Sequence, residues 1–279
     1  MTARKNICVI GDPIAHSRSP LIHNYWIKQY GLDAQYQREQ ISGENFPQFL
    51  QNLSAHGYIG ANITIPHKQA AYENVDFADD NAKRLNAVNT VYLRDGKLCG
   101  TNTDGEGFLE NLKQQAPSWR AKTGPVLILG AGGAARAIIG ALLDEGVPEI
   151  FLVNRTIKKA QELADQFGPK ITALQWDEIE KNLPQASLLV NTTSLGMLGK
   201  PPLELDISLL AKGAIVADIV YAPLETDLLR AAKQLGHETV DGLGMLLHQA
   251  MRGFELWFDV RPKITPQLRN LIIADLEKA

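Results

Sequence analysis

Short apolar runs alternate with helical periodicity along most of this chain. Ile7–Ile10 is an apolar run closed by Gly11-Asp12-Pro13, and it reads as a strand. The loop His16-Ser-Arg-Ser-Pro20 leads into a helix running to about Tyr30. Pro20 suits its first turn, Ser19 is placed to cap it, and Gly31 stops it. Alternation over Ala34–Ile41 predicts a second strand. Phe46–His56 reads as a helix with Phe46, Phe49, Leu50 and Leu53 on one face. Ile59–Ile65 is the third strand, broken by Pro66, and His67-Lys68 opens a short helix. Asp76–Leu85 is helical in pattern. Asn86–Leu93 and Lys97–Thr101 form a hairpin around Asp95-Gly96. The first hundred residues therefore predict a small α/β domain.

An amphipathic helix follows Asn102-Thr-Asp-Gly105 and ends near Gln115, with a crossing segment over Pro117–Gly124. Val126–Leu129 is apolar throughout, as a strand buried on both faces would be. Ala134–Leu143 then reads as a helix. Further strands fall at Ile150–Val153, Ala186–Val190, Ala214–Ile219 and Glu238–Val240. Helices are predicted from a Thr156 cap onward and over Glu225–Leu235. This is a doubly wound βαβ series. Met245–Phe258 and Thr265–Ala279 are helical, with apolar faces that must cover something, and they are expected to return to the first domain. The expected fold class is α/β: an N-terminal α/β substrate domain, residues 1–104 completed by 242–279, and a Rossmann nucleotide domain, residues 105–241.

Composition adds limits. The 279 residues suit two domains, and 45% hydrophobic with 21% charged residues is ordinary for a chain with a buried core. A net charge of −3 gives no basic surface for nucleic acid or membrane. No apolar run approaches the ~20 residues of a membrane span. The basic N-terminus leads straight into a strand without a signal-peptide core, so a cytoplasmic location is expected. Cys8 and Cys99 sit in apolar surroundings and read as buried free thiols. No His/Cys cluster has metal-ligand spacing, so no metal is expected.

Candidate chemistry starts at Gly130-Ala131-Gly132-Gly133-Ala134-Ala135. Strand, glycine turn and helix together are the context of a dinucleotide fingerprint. Gly130 permits the tight turn, and Gly132 lets the backbone approach a pyrophosphate at the helix N-terminus. Ala135 takes the third glycine's place. A site for NAD would carry an acidic residue at the next strand end, ~20 residues on. Here Asn154, Arg155 and Thr156 follow Val153, with Lys158 and Lys159 beyond and no acid before Glu162. Arg155 offers a planar fork for a phosphate, which favours NADP. A second constellation is Asn62-Ile-Thr-Ile-Pro-His-Lys68. Asn62 and Thr64 share one strand face. Lys68 falls at the C-terminal strand end, where open α/β sheets bind ligands. Asn89 and Asn102-Thr-Asp104 also lie at or near strand ends.

As a whole the chain resembles the shikimate dehydrogenases, NADP-dependent enzymes of the aromatic amino-acid pathway. The resemblance covers nearly the full length. It rests on Gly11-Asp-Pro-Ile-Ala-His-Ser-Arg-Ser-Pro-Leu-Ile-His-Asn24, Asn62-Ile-Thr-Ile-Pro-His-Lys68, Ala87-Val-Asn-Thr90, Asn102-Thr-Asp-Gly105, Gly130-Ala-Gly-Gly-Ala-Ala-Arg136, Asn154-Arg-Thr156, Asp218-Ile-Val-Tyr221 and Asp241-Gly-Leu-Gly-Met245. The resemblance implies that Ser17 and Ser19, helped by Tyr221, hold a substrate carboxylate. It implies that Thr64, Asn89 and Gln249 bind ring hydroxyls. Lys68 and Asp104 are the implied catalytic pair, both touching substrate. Asp80, Ile219 and Gly242 are implied at the nicotinamide end. Arg155 and Lys159 are implied at the 2'-phosphate, and Asn154 and Thr156 elsewhere in the cofactor site. Lys159 stands where relatives often have Arg, so a point charge replaces a fork there. The implied reaction is NADPH-dependent reduction of 3-dehydroshikimate to shikimate, by a monomer or homodimer. Rival expectations are a quinate/shikimate dehydrogenase that also uses NAD, and a non-catalytic NADP-binding sensor.

Overall fold

The computed structural model describes residues 4–278. The chain divides into two compact units, residues 1–103 with 249–279, and residues 104–248.

The first unit holds β1 (Lys5–Gly11), α1 (Ser19–Gln29), β2 (Ala34–Gln40), α2 (Phe46–Gln51), β3 (Tyr58–Ile63), α3 (Lys68–Asn74), β4 (Phe77–Ala78), α4 (Asp80–Leu85), β5 (Thr90–Arg94) and β6 (Lys97–Thr101). Its sheet runs β2-β1-β3-β5-β6-β4. The first three strands are parallel, while β5 lies antiparallel to both β3 and β6. One consequence positions the site. The C-terminal ends of β1 and β3, the start of β5 and the end of β6 all fall at the same edge, with Asn62 opposite Thr90 and Thr90 opposite Thr101. One core joins Cys8, Ile10, Phe46, Leu50, Ala61 and Ile63. An aromatic core gathers around His23, whose ring stacks on Tyr36 at 4.3 Å and contacts Trp26, Phe254 and Trp257. Neither His23 nitrogen meets a hydrogen-bonding partner among the described residues. Burial, partly opposed by the Asn62 side chain, pushes its pKa down to about 3, so it packs as a neutral ring.

The second unit holds α5 (Asp104–Gln115), β7 (Val126–Leu129), α6 (Gly133–Asp144), β8 (Ile150–Val153), α7 (Ile157–Phe167), β9 (Ile171–Leu174), α8 (Ile179–Asn182), β10 (Leu188–Asn191), β11 (Ile215–Asp218), α9 (Asp227–Gln234) and β12 (Glu238–Val240). Its sheet runs β12-β11-β10-β7-β8-β9, parallel throughout. Both faces are covered. Val126 and Ile128 join Phe108, Leu112, Ile138 and Leu163 on one side. Leu127 and Leu129 join Ile179, Leu203, Leu228 and Leu229 on the other. The period-two alternation of a strand sends successive side chains into two cores, which is why β7 reads as continuous hydrophobicity. Helix α10 (Gly242–Phe258) begins in the second unit, and its residues from Gln249 onward belong to the first, as does α11 (Pro266–Leu276). Among the described residues no helix is long and apolar enough to cross a membrane, and no group of three or more His, Cys, Asp or Glu could hold a metal ion.

Several boundaries differ from expectation. Helix α2 stops at Gln51 rather than His56, and the Gln48 carbonyl there accepts from both the backbone N–H and the side-chain amide of Asn52. The stretch read as a helix from Asp76 starts instead as β4, and α4 begins only after Asp79, whose carboxylate caps the Ala82 N–H. Asn86 closes α4 in the left-handed region, φ 47°, so β5 starts at Thr90. Ser19 does not cap α1. Arg18 is the cap residue, and the Ser17 hydroxyl accepts from the Ser19 N–H at 3.3 Å. Thr156 occupies the cap position of α7, but its side chain makes no capping bond. Strand β9 and the short helix α8 were not expected. Helix α10 starts three residues early, with the Leu243 N–H donating to the Asp241 carboxylate. Residues 1–3 and Ala279 lie outside the described residues.

Candidate active site

The loop after β1 carries Ser17 and Ser19. Gly11 begins it, and a Cβ there would stand 2.6 Å from the Thr64 methyl, so only glycine lets the ends of β1 and β3 approach. Two guanidinium groups hold the loop. Arg38 donates to the Ser17 carbonyl from both Nε (3.2 Å) and Nη2 (2.6 Å). Arg18 donates to the His16 carbonyl and pairs with Asp275 of α11 at 2.6 Å. Ser17 is half-buried and Ser19 buried.

The end of β3 carries Thr64 and Lys68. The Thr64 N–H still donates to the Ile10 carbonyl, and the His67 N–H donates to the Thr64 carbonyl. His67 is buried, stacked on Phe46 at 4.4 Å, with Nε2 at 2.7 Å from the Ile41 carbonyl. It is a structural ring. Lys68 is half-buried at the first position of α3, and its carbonyl accepts from the Val88 N–H at 2.9 Å. That bond fixes Lys68 one residue from the attachment of Asn89.

Behind these residues lies a buried polar chain. Tyr36 Oη donates to Asn62 Oδ1 at 2.6 Å. Asn62 Nδ2 donates to Thr90 Oγ1 (3.0 Å) and the Asn89 carbonyl (3.4 Å). Thr90 Oγ1 donates to Asn89 Oδ1 at 3.0 Å. Asn89 Oδ1 also accepts from the Thr103 N–H, and Asn89 Nδ2 donates to Thr103 Oγ1. Thr103 Oγ1 donates to the main-chain carbonyl of Gln249 at 2.9 Å. Sequence reasoning placed Asn89 and Gln249 in the site but missed Tyr36, Thr90 and Thr103. The signal available was polar residues interrupting apolar strands, which need partners once buried. Asp80 is exposed on the first turn of α4, 3.6 Å from Lys83.

In the second unit, Asp104 is buried as the first residue of α5. The fingerprint turn sits where β7 meets α6. Gly130 has φ +102°, and a Cβ there would meet Thr192 Oγ1 at 2.8 Å. Gly132 and Gly133 differ: a Cβ at either would meet no protein atom within 4 Å. Packing therefore does not require glycine at those two positions. A bare backbone at a helix start that no side chain caps is what an approaching pyrophosphate needs, so the turn fits a dinucleotide. Asn154 ties this turn to the next. Its Oδ1 accepts from the Ala131 N–H at 3.2 Å and its Nδ2 donates to the Thr156 carbonyl at 2.9 Å. Arg155, Thr156, Lys158 and Lys159 are exposed beside it, with Ala134 half-buried in the first turn of α6.

The loop after β11 is anchored by Asp218, which sequence reasoning quoted but gave no role. Its Oδ1 accepts from the Val220 N–H and the Asn191 amide, both at 3.0 Å, and Oδ2 accepts from the Thr226 hydroxyl at 2.8 Å. This holds the backbone leading to Ile219 and Tyr221. Gly242 packs onto the same turn, where a Cβ would stand 2.2 Å from the Ile219 carbonyl oxygen. Burial pushes the Asp218 pKa up to about 6 against its hydrogen bonds. A pKa higher in the folded than in the unfolded state stabilises the fold below about 4, and that contribution is lost as pH rises through about 6. A shift of about two units corresponds to at most about 3 kcal/mol. Denaturant unfolding at a series of pH values should therefore show Asp218→Asn gaining stability relative to wild type between pH ~4 and ~7. A difference independent of pH would mean that the carboxyl does not titrate in that window.

Comparison with known proteins follows this division of the chain. Residues 9–91 match the shikimate dehydrogenase substrate binding domain, 110–197 the shikimate/quinate 5-dehydrogenase family and 242–266 the shikimate 5'-dehydrogenase C-terminal domain. The chain is 52% identical over 276 residues to a shikimate dehydrogenase (NADP(+)) of Afipia carboxidovorans, covering 99% of each. It is 53% identical over 271 residues to one of Methylocella silvestris, covering 97% of this chain and 96% of the relative. Among solved structures it is similar to the shikimate 5-dehydrogenase of Thermus thermophilus in complex with NADP(H) and shikimate, with 35% identity, TM-score 0.84 and coverage of 98% and 99%. It is also similar to the quinate dehydrogenase of Corynebacterium glutamicum in complex with NAD, with 33% identity, TM-score 0.90 and coverage of 97% and 99%.

Proposed function

As this chain belongs to the shikimate dehydrogenase family, we propose that it reduces 3-dehydroshikimate reversibly to shikimate, with NADP as its cofactor. It is an NADP-dependent oxidoreductase acting on a CH–OH group. The observation that carries this reading in the first unit is the shared sheet edge. Ser17, Ser19, Thr64, Lys68 and Asn89 all follow or precede strand ends there, and Lys68 is tied to the start of β5. We assign carboxylate binding to Ser17 and Ser19, with Tyr221 as a further donor, and hydroxyl binding to Thr64, Asn89 and Gln249. NADPH supplies a hydride when bound. Lys68 donates the proton that the new alkoxide requires, or stabilises its charge as it develops. Asp104, when ionised, only accepts hydrogen bonds, so it suits a substrate hydroxyl. Gly130, Ala131, Gly132, Gly133 and Ala134 would hold the pyrophosphate. Arg155 and Lys159 would hold the 2'-phosphate, with Asn154 and Thr156 beside them in the cofactor site, and Asp80, Ile219 and Gly242 would lie at the nicotinamide end. In this reading residues 1–104 with 242–279 form the substrate domain and 105–241 the NADP domain.

The free buried thiols of Cys8 and Cys99 suit a reducing compartment, so we place the enzyme in the cytoplasm, as a monomer or homodimer with no nucleic-acid partner. The test is an NADPH absorbance assay on purified protein with shikimate or quinate and either cofactor. Turnover with shikimate and NADP⁺ well above the other three combinations is expected. Equal efficiency with quinate and NAD⁺ would establish dual specificity, and no turnover in any combination would favour the sensor reading.

A further inference from the structure

We infer that Tyr36, Asn62 and Thr90 form a one-directional hydrogen-bond relay that fixes the orientation of the Asn89 side-chain amide in the site. The proposal rests on the reading that Asn89 contacts substrate. The direction of each bond follows from backbone groups that have only one role. The Asn89 carbonyl can only accept, so the Asn62 group facing it at 3.4 Å is the NH₂. Asn62 Oδ1 then faces Tyr36, whose single proton goes to it. Thr90 Oγ1 receives a proton from Asn62, so its own proton goes to Asn89 Oδ1. The Thr103 N–H can only donate, and it too points at Asn89 Oδ1, at 2.9 Å. Both amides are thereby oriented without ambiguity.

The consequence is chemical. The acceptor oxygen of Asn89 is held by Thr90 and Thr103, and its Nδ2 donates to Thr103 Oγ1, so the relay sets which way round the amide stands. Asn62, Asn89 and Thr90 are 5%, 3% and 0% exposed, so no water competes for the relay. A buried chain of this kind is costly to break at one link, because the loss leaves an orphaned polar group. Tyr36 is held in place by its stack on His23, which gives that buried ring a supporting part. Tyr36, Asn62 and Thr90 are positioning residues, since they act through Asn89.

The test compares Asn89→Ala, Thr90→Val, Thr90→Ser and Tyr36→Phe by steady-state kinetics. Thr90→Val keeps the shape and removes the hydroxyl. It is expected to raise the KM for shikimate about 3–10-fold, the effect of roughly one neutral hydrogen bond, and to leave the KM for NADP⁺ alone. Thr90→Ser should restore the shikimate KM. Tyr36→Phe should act in the same direction, and it gives the answer if Thr90→Val does not fold. An Asn89→Ala enzyme with raised KM beside Thr90→Val and Tyr36→Phe enzymes with normal KM would overturn the relay alone. Equal impairment of Thr90→Val and Thr90→Ser would also overturn it, because packing would then be the cause. An unchanged KM in Asn89→Ala would remove Asn89 from the site, and the relay with it.

Discussion

Replacing Lys68 by Met is expected to lower kcat and kcat/KM for shikimate by similar factors, in the range of ~10²–10⁴. Methionine keeps an unbranched stem of similar length and loses the ammonium. The backbone at this point is held independently of the side chain, because the Val88 N–H bonds to the Lys68 carbonyl. The fold should therefore survive, and a thermal melt will check this. His67 is poorly placed to take over. It is buried against Phe46, and Nε2 is engaged with the Ile41 carbonyl. Equal losses in kcat and kcat/KM would mark an interaction made in the transition state. A raised KM with normal kcat would reassign Lys68 to substrate binding, and near-normal values of both would remove it from the mechanism.

That Lys68 could be singled out came from two sources, the strand pattern and the family resemblance, and only the second gave it a catalytic role. Strand periodicity put it after a proline at the end of β3, and this needed no structure. Its neighbours at the same sheet edge were legible only as separate polar stretches. The antiparallel insertion of β5 brings Asn89 and Thr103 to the end of β3, and no local pattern encodes that pairing. The buried relay was hidden for the same reason. Tyr36 lies on an alternating strand where an aromatic ring is ordinary, and only tertiary pairing with Asn62 makes its hydroxyl significant. The nucleotide unit was more legible, because β7 and the glycine turn are contiguous in sequence and their physical demands are local. Strand β9 escaped because Ile171-Thr-Ala-Leu174 is only four residues long, and its extended form is set by pairing with β8. The start of α1 was misread where the Ser17 hydroxyl, not that of Ser19, took the capping N–H.

Cofactor preference should respond most strongly to Arg155 among the residues after β8. Arg155 is exposed at the start of α7, so its removal costs the fold little. A charge-assisted contact to a phosphate is worth roughly 1.5–3 kcal/mol. Arg155→Ala should therefore weaken NADPH binding by about 10–100-fold, while NADH, which lacks the 2'-phosphate, binds nearly as before. Lys159 keeps some positive charge nearby as a point charge, so the loss should fall toward the lower end at low salt and grow more evident once long-range attraction is screened. Asn154 supplies the contrast. Its side chain bridges the Ala131 N–H and the Thr156 carbonyl, joining the glycine turn after β7 to the loop after β8. Asn154→Ala should weaken both cofactors together. Fluorescence titration of each variant with NADPH and NADH reads the difference directly. Equal losses for the two cofactors in Arg155→Ala would make Arg155 a scaffold residue like Asn154. A selective loss for NADPH makes it the group that distinguishes a phosphate from a hydroxyl.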